Sequence, residues 1–533
     1  MKALSRHSIQ LPGSTSARVL LGVGIAHFLF ILWLGLTRHW GYLTSANDLG
    51  VYDQAIWGIL HGAPFLNTAT DFAQPISRLA IHFDPILALF APFYAIYPAA
   101  EWLILAQALA ISITAWPLYL LGIRVMRSES AALLWALVYL FNPFVISAAA
   151  WDFQTVSLAA PLMALAMLAI ESRNARLLLA SCFMLLMIRE HYGIALVGFG
   201  VLWWLRQRTL RPALLAAGMG LGGFVLVLGV IMTALSPTGG HVMMSQELGQ
   251  LSRYGWLGNS LPEVLTTLLL HPVDVMRTVC LEMGGADYLL LLLGPLLFMP
   301  LVGVEMLLPA LADLAVNLLS HNRMPRSIFA YHSIAIIPLL MAAGMLGAAR
   351  IARLSRYLSL GIGVLVLGSS LPMTYMALPM ALPGAANIWH PLERPLWPDP
   401  SLAEIRTLLP PDASVSAQAH VAPHFMHRSS IRAFPHGVGE ADCVVLRLAS
   451  PTSNRGGDPG EIGSLAHHLK MPPSVYLDEV RDLVMSGNYG LKYWNAPWLV
   501  LCKGLDLPAE EADMILVRTR MLERTWRPPH ADQ

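Results

Sequence analysis

Residues 81–99 read IHFDPILALFAPFYAIYPA, and whether this run crosses a membrane sets the topology of the whole chain. It is apolar and almost long enough to span, yet it holds three prolines (Pro85, Pro92, Pro98) together with His82 and Asp84. Proline removes a backbone donor and clashes with the preceding turn of a helix. A juxtamembrane helix lying along the surface accommodates these residues more readily than a crossing helix does.

Working outward, apolar stretches long enough to span (about 17–25 residues) lie near 19–36, 101–123, 131–149, 155–170, 191–205, 213–235, 286–303, 332–349 and 357–379. Shorter candidates occur at 177–188 and 305–320. Four arginine clusters sit between them: Arg124/Arg127, Arg173/Arg176, Arg206/Arg208/Arg211 and Arg350/Arg353/Arg356. Cytoplasmic loops carry the Lys/Arg excess. With the N-terminus inside, all four clusters fall inside only if 81–99 does not cross. The expectation is therefore an α-helical polytopic membrane protein of about eleven spans, with juxtamembrane helices in the first outer loop.

Composition agrees. The 533 residues are 56% hydrophobic and 13% charged, against about 25% charged in a soluble domain. Net charge is +1, which gives no reason to expect a nucleic-acid partner. The basic start (Lys2, Arg6, Arg18) precedes an apolar run with no small-residue cleavage site, so an uncleaved first helix is expected.

This topology places 37–100, 150–154, 189–191, 236–285, 321–331 and the tail from 380 outside, and those segments hold nearly all the candidate chemistry. Asp48 and Asp53 lie in the first outer loop, five residues apart and so not stacked on one helix face. Asp48 reads as a helix N-cap or as a general base or metal ligand at the membrane surface. His82 and Asp84, Asp152, and Glu190 with His191 come from further turns at similar depth, and interfacial ionisable groups are functional candidates by default. Asp48, Asp53, Asp152 and Glu190 are the catalytic candidates. Asp48, Asp152 and Glu190 would be the ligands of any divalent cation, magnesium or manganese, although no spacing identifies one. His82, Asp84, His191, Arg253, Tyr254, Arg323, Arg326 and His332 are candidates for substrate binding. Arg323 and Arg326 suit a lipid-linked phosphate, because a planar guanidinium donates two hydrogen bonds together.

The segments Asn47–Trp57, His82-Phe83-Asp84-Pro85, Asp152-Phe153-Gln154 and Arg189-Glu190-His191, with Val415–Gln418, Pro423-His424 and Phe434-Pro435 in the tail, resemble a bacterial family of predicted membrane proteins, domain of unknown function 2079. The match covers most of the chain, and its motifs are specific together and weak singly. That family in turn looks like the C-type (GT-C) membrane glycosyltransferases. The resemblance implies a GT-C-like domain over 1–380 and an extracytoplasmic domain over 381–533, in a bacterial inner membrane with a cytoplasmic N-terminus. It implies a polyprenyl-phosphate sugar donor, a glycan, lipid or protein acceptor, inversion at the sugar, and Asp48 as base with Asp53 as understudy and Asp152 and Glu190 in support. This chain departs from the family pattern at two places: Arg189-Glu190-His191 stands where the turn usually reads lysine–acid–acid, and Gln154 stands where a His is often found. The rival readings are a transporter or lipid flippase, with acids as ion-coupling groups, and a non-catalytic scaffold.

After Met380 the periodicity changes. Ser401–Glu404 has capping-box spacing before a short helix. Strand-like runs at 413–417, 442–448 and 497–502, a helix near 475–485 and a Gly/Ser/Pro-rich loop over 450–473 make a small α/β domain. His420, His424 and His427 would share a face if helical, the face either binding a metal or bordering the membrane domain. Of the four cysteines, Cys443 and Cys502 lie in strand-like runs. Two buried free thiols are expected there, with a disulfide as the alternative.

Overall fold

The structure is a computed structural model that describes residues 14–69, 75–237, 239, 242, 253–354, 356–380, 382–383, 395–450, 465–466 and 469–526. Lys2 and Arg6, the expected domain boundary at 380/381 in part, and most of the expected 450–473 loop lie outside the described residues.

The helices of the first part include α1 (Thr15–Trp40), α2 (Val51–Leu60), α3 (Glu101–Met126), α4 (Glu129–Leu140), α5 (Pro143–Ala150), α6 (Ala159–Glu171), α7 (Ala175–Leu186), α8 (Tyr192–Gln207), α9 (Leu210–Leu235), α10 (Leu311–Leu319), α11 (Ile336–Ile351) and α12 (Tyr357–Ala377). Among the described residues, α1, α3, α9 and α12 are each long and apolar enough to cross a membrane. The pair α4–α5, bent by 44° where Asn142-Pro143 restarts the helix, counts as a further candidate. All eleven expected spans fall on helical segments, several of them too short to cross alone.

Residues 85–96 form a turn and a half-exposed helix, Pro85–Phe90 then Ala91–Ile96. Twelve residues reach about 20 Å, short of the ~30 Å hydrocarbon thickness. The expected outer loop at 236–285 is corrected in part: it contains helices Leu261–Leu270 and Pro272–Arg277, and the apolar pair is bent by 91°. Pro262 and Pro272 read as loop residues, but each stands in the first turn, where proline's missing donor is not needed.

Three of the four arginine turns share one construction. Arg127, Arg173 and Arg208 adopt positive φ (55°, 57° and 55°) and each precedes the residue that starts the next helix, Ser128, Asn174 or Thr209. Ser128 and Asn174 accept hydrogen bonds from Ala131 and Leu177 backbone N–H groups, which satisfies otherwise orphaned donors. Successive helices therefore reverse, and the clusters gather at the end of the bundle where α1 begins. There Arg206 pairs with Glu171 (2.7 Å) and Arg350 with Glu305. At the other end, Trp40 Nε1 donates to Glu101 (3.2 Å). Close helix contact needs glycine at one crossing: a Cβ on Gly220 of α9 would stand 2.3 Å from the Gly193 carbonyl oxygen of α8.

In the first loop β1 (Leu66–Asn67) pairs antiparallel with β2 (Ile76–Ser77), and the C-terminal part holds a sheet of order β4-β3-β5-β7-β6, where β3 is Val415–Ala417, β4 Ile431–Ala433, β5 Cys443–Arg447, β6 Gly490–Asn495 and β7 Trp498–Cys502. Strands β4, β3 and β5 are parallel, and β5, β7 and β6 antiparallel. Helices α13 (Pro473–Met485) and α14 (Ala509–Thr525) cover one face. The other face joins a single apolar core with Tyr42, Leu49, Tyr52, Tyr94 and Phe153 of the first part. The parallel pairing and the helix Ala509–Thr525 were not foreseen.

Three expectations for this part are corrected. The antiparallel register sets Cys443 directly opposite Cys502, and the two form a disulfide in place of two free thiols. Ser401 lies inside its helix, and Asp399 Oδ1 receives the Ser401 N–H (2.9 Å) in place of the capping box. The three histidines share no helix: only Ala422–His424 makes a single tight turn, with His424 buried against His39 at 4.2 Å between ring centres.

Candidate active site

Ser45 starts the turn that carries Asp48. Its hydroxyl oxygen accepts from Asn47 N–H (3.2 Å), so the cap is Ser45 and the Asp48 carboxylate is released from that duty. The Ser45 N–H in turn donates to Asp152 Oδ2 (2.7 Å), while Arg38 Nε donates to Asp152 Oδ1 (2.9 Å). Arg38 also donates to the Ala150 carbonyl (3.2 Å). Thus Asp152 uses both oxygens to fasten the loop that presents Asp48.

Asp48 is half-buried. Its Oδ1 receives Gln154 Nε2–H at 2.8 Å, and no described residue donates to Oδ2. Burial, helped by the nearby Asp152 carboxylate, pushes Asp48 up to about 6, against the pull of Lys470, Arg38 and the Gln154 hydrogen bond. A carboxylate with one fixed oxygen, one free oxygen and a pKa near neutrality suits general-base work.

The other expected acids also accept from protein donors, although Asp84 Oδ1 is buried without a hydrogen bond among the described residues. Glu190 accepts from Phe83 N–H (2.9 Å) and meets His82 Nδ1 at 3.2 Å. Burial, then the Arg189 charge, pulls His82 down to about 3, against the pull of Glu190. His191 Nε2 lies 2.8 Å from Asp313 of α10; burial works downward, but that carboxylate wins and raises His191. Asp84 is fully buried and receives Arg78 Nε–H (2.9 Å). Asp53 is 1% exposed, and its Oδ1 is shared by the Tyr94 hydroxyl (2.6 Å) and His427 Nε2 (3.1 Å). It thus ties the first loop to the C-terminal domain and stands apart from the open carboxylate. Asp53→Ala is expected to lower stability by about 1–3 kcal/mol, because the buried Tyr94 hydroxyl loses its acceptor. Thermal unfolding in detergent measures it.

The cations also divide. Arg326 donates to the backbone carbonyls of Met283 (3.1 Å), Asn317 (2.8 Å) and Leu318 (3.3 Å), closing the C-terminal end of α10. Its Nε and Nη1 are thus spent inside the protein, while Nη2 is buried without a hydrogen bond among the described residues. Tyr254 donates to the Val316 carbonyl (3.2 Å) and Arg323 is exposed. Arg253 and Arg189 lie near enough to His332 to help burial pull it down to about 4. His332 stacks on Tyr331 (4.2 Å, 17°), and Tyr331 meets Trp151 (5.8 Å). Tyr331 in turn feels the charges of Asp48, Arg189 and Arg253, so this aromatic row borders the free carboxylate.

Among the described residues, no three His, Cys, Asp or Glu side chains group to hold a metal ion. Asp48, Asp152 and Glu190 do not form a ligand trio, because the last two already accept hydrogen bonds from protein donors on both oxygens or nearly so. Gln154, Tyr331, Trp151, Arg38 and Lys470 border the site although none was singled out for it. Only Gln154 left a sequence signal, its place beside Asp152-Phe153.

Residues 38–447 match the family model described as Predicted membrane protein (DUF2079). No curated protein matches the chain. Among solved structures, ArnT from Cupriavidus metallidurans bound to undecaprenyl phosphate is similar with TM-score 0.50 at 12% identity, covering 93% of this chain and 100% of that one. The apo form of the same protein gives TM-score 0.47 at 13% identity, over 91% and 98%. The shared element is the fold, that of the GT-C-like architecture expected from the resemblance.

Proposed function

The chain belongs to the Predicted membrane protein (DUF2079) family, and from that premise we propose that it is a GT-C-type glycosyltransferase using a polyprenyl-phosphate sugar. The observation that carries this reading is Asp48, a half-buried carboxylate with one oxygen oriented by Gln154 and the other accepting from no described residue. A fold like that of a protein crystallised with undecaprenyl phosphate supports the lipid carrier.

In this mechanism Asp48 takes the proton of an acceptor hydroxyl. The acceptor oxygen forms a bond to the anomeric carbon as the bond from that carbon to the phosphate oxygen breaks, and the electron pair leaves with the polyprenyl phosphate. Negative charge grows on that phosphate, so Arg253 and Lys470 beside the site stabilise the transition state, an effect of roughly 3 kcal/mol for a well-placed donor. The Trp151–Tyr331–His332 row offers faces on which a sugar ring can lie. Inversion follows from the resemblance. The arginine-rich end faces the cytoplasm by the positive-inside rule, and the disulfide-bearing domain faces the oxidising side of a bacterial inner membrane.

The test incubates purified protein with radiolabelled polyprenyl-phosphate sugars, with and without magnesium or manganese, and compares wild type with Asp48→Asn. Release or transfer that disappears in the variant supports the reading. Carrier movement in sealed vesicles without sugar turnover favours the transporter or flippase. The pH profile gives a further prediction. Asp48 acts as base only when ionised, so kcat/KM should fall about tenfold per pH unit as pH drops below about 6.

A further inference from the structure

Asp48 sits at the end of a run of hydrogen bonds that all point one way. Arg189 Nη2–H donates to the Tyr52 hydroxyl oxygen (3.3 Å). The Tyr52 O–H donates to Gln154 Oε1 (2.9 Å), and Gln154 Nε2–H donates to Asp48 Oδ1 (2.8 Å). The chain starts on a cation and ends on a carboxylate, and each donor is the next group's source of polarisation. Three sequence-distant segments supply it: the first loop, the turn after α5 and the turn between α7 and α8.

Gln154 and Tyr52 are held by contacts outside this run of hydrogen bonds, and Arg189 is buried. Gln154 is 3% exposed, and its backbone N–H donates to Gln107 Oε1 (2.9 Å). Tyr52 is 1% exposed, with Phe153 edge-on at 5.1 Å and the Arg78 guanidinium 3.9 Å over its ring. Arg189 is 6% exposed. The Tyr52 hydroxyl has one proton, and Arg189 already donates to its oxygen. That proton must go to Gln154 Oε1, which fixes the amide with its N–H toward Asp48. A flipped amide would aim its oxygen at a carboxylate and repel it.

We propose that Gln154, oriented by Tyr52 and Arg189, is a positioning residue that keeps Asp48 ionised with its free oxygen turned toward the acceptor. The inference rests on the glycosyltransferase reading only for the word acceptor; the hold on the Asp48 charge stands without it. The other groups facing Asp48 are Asp152 and Arg38 from the ends of neighbouring helices, Lys470 from the C-terminal domain and Tyr331. Asp152 works against ionisation and the two cations for it, so removal of the Gln154 donor shifts the balance toward the protonated acid.

The ionisation of Asp48 can be read without any donor sugar. Dicyclohexylcarbodiimide modifies protonated carboxyls in low-polarity surroundings, and mass spectrometry of the full-length protein quantifies labelling at Asp48 against pH. Gln154→Leu is expected to raise the labelling midpoint by about one pH unit relative to wild type. Tyr52→Phe keeps the ring packing and should raise it by less, in the same direction. The acid limb of kcat/KM should move with the labelling midpoint in both variants. Unchanged midpoints in both variants overturn the proposal, as does a downward shift in either. Should Gln154→Leu fail to fold, Tyr52→Phe decides alone. A shifted midpoint in a protein that turns over no sugar leaves this proposal standing and removes the glycosyltransferase reading.

Discussion

Asp48→Asn should lower sugar transfer about 10³-fold, within the range usual for loss of a general base and equal to roughly 4 kcal/mol of transition-state stabilisation. The substitution keeps the shape and the Gln154 contact in reach while removing proton affinity, so the loss should appear in kcat. Stability moves differently. The folded-state pKa is raised from 3.8 to about 6, so the folded protein holds the Asp48 proton more tightly than the unfolded chain. Ionisation therefore works against folding as pH rises from about 4 through 6, and the cost is fully present at pH 7. An uncharged Asn escapes it. The melting temperature of Asp48→Asn at pH 7 should equal or exceed that of wild type, and a variant that is both inactive and markedly less stable would show that Asp48 is structural.

Arg38→Ala should have the largest effect on stability. Arg38 and Asp152 are paired at 2.9 Å with side-chain exposures of 13% and 1%. Removing the guanidinium leaves the Asp152 carboxylate with the Ser45 N–H but without its cation. Uncompensated buried charges of this kind cost about 3–5 kcal/mol. Because Asp152 also anchors Ser45, the turn bearing Asp48 should lose its position, and activity should fall even in the fraction that remains folded. Arg38→Ala/Asp152→Asn should recover part of the stability, since the amide no longer carries the charge. A double variant no more stable than Arg38→Ala would mean that the pair's charge complementarity contributes little. Thermal unfolding in detergent, followed beside transfer assays, separates the two effects.

The site was partly legible in the chain. Asp48 stood out as an acid in the loop just past the first long apolar helix, readable as an N-cap or as a base; the structure assigns the cap to Ser45 and leaves Asp48 Oδ2 with no donor among the described residues. The surroundings of Arg326 were not legible, because an arginine in a turn looks fully available until the carbonyls of α10 are seen around it. Those of Asp53 were hidden for the same kind of reason: its partner His427 lies far away in sequence. The disulfide was undecidable because strand character does not set register, and a slip of one residue would have turned one cysteine away from the other.

The sequence by itself determined the apolar helices, the arginine-bearing turns and the short proline-rich segment within the first outer loop, since these depend on composition and local backbone preference. The tertiary structure alone decided which ionisable groups remain free. Asp48, Asp53, Asp152 and Glu190 are chemically alike, and each is defined by donors brought from distant parts of the chain. A carboxylate's availability depends on what surrounds it in space, and spacing along the chain does not encode that.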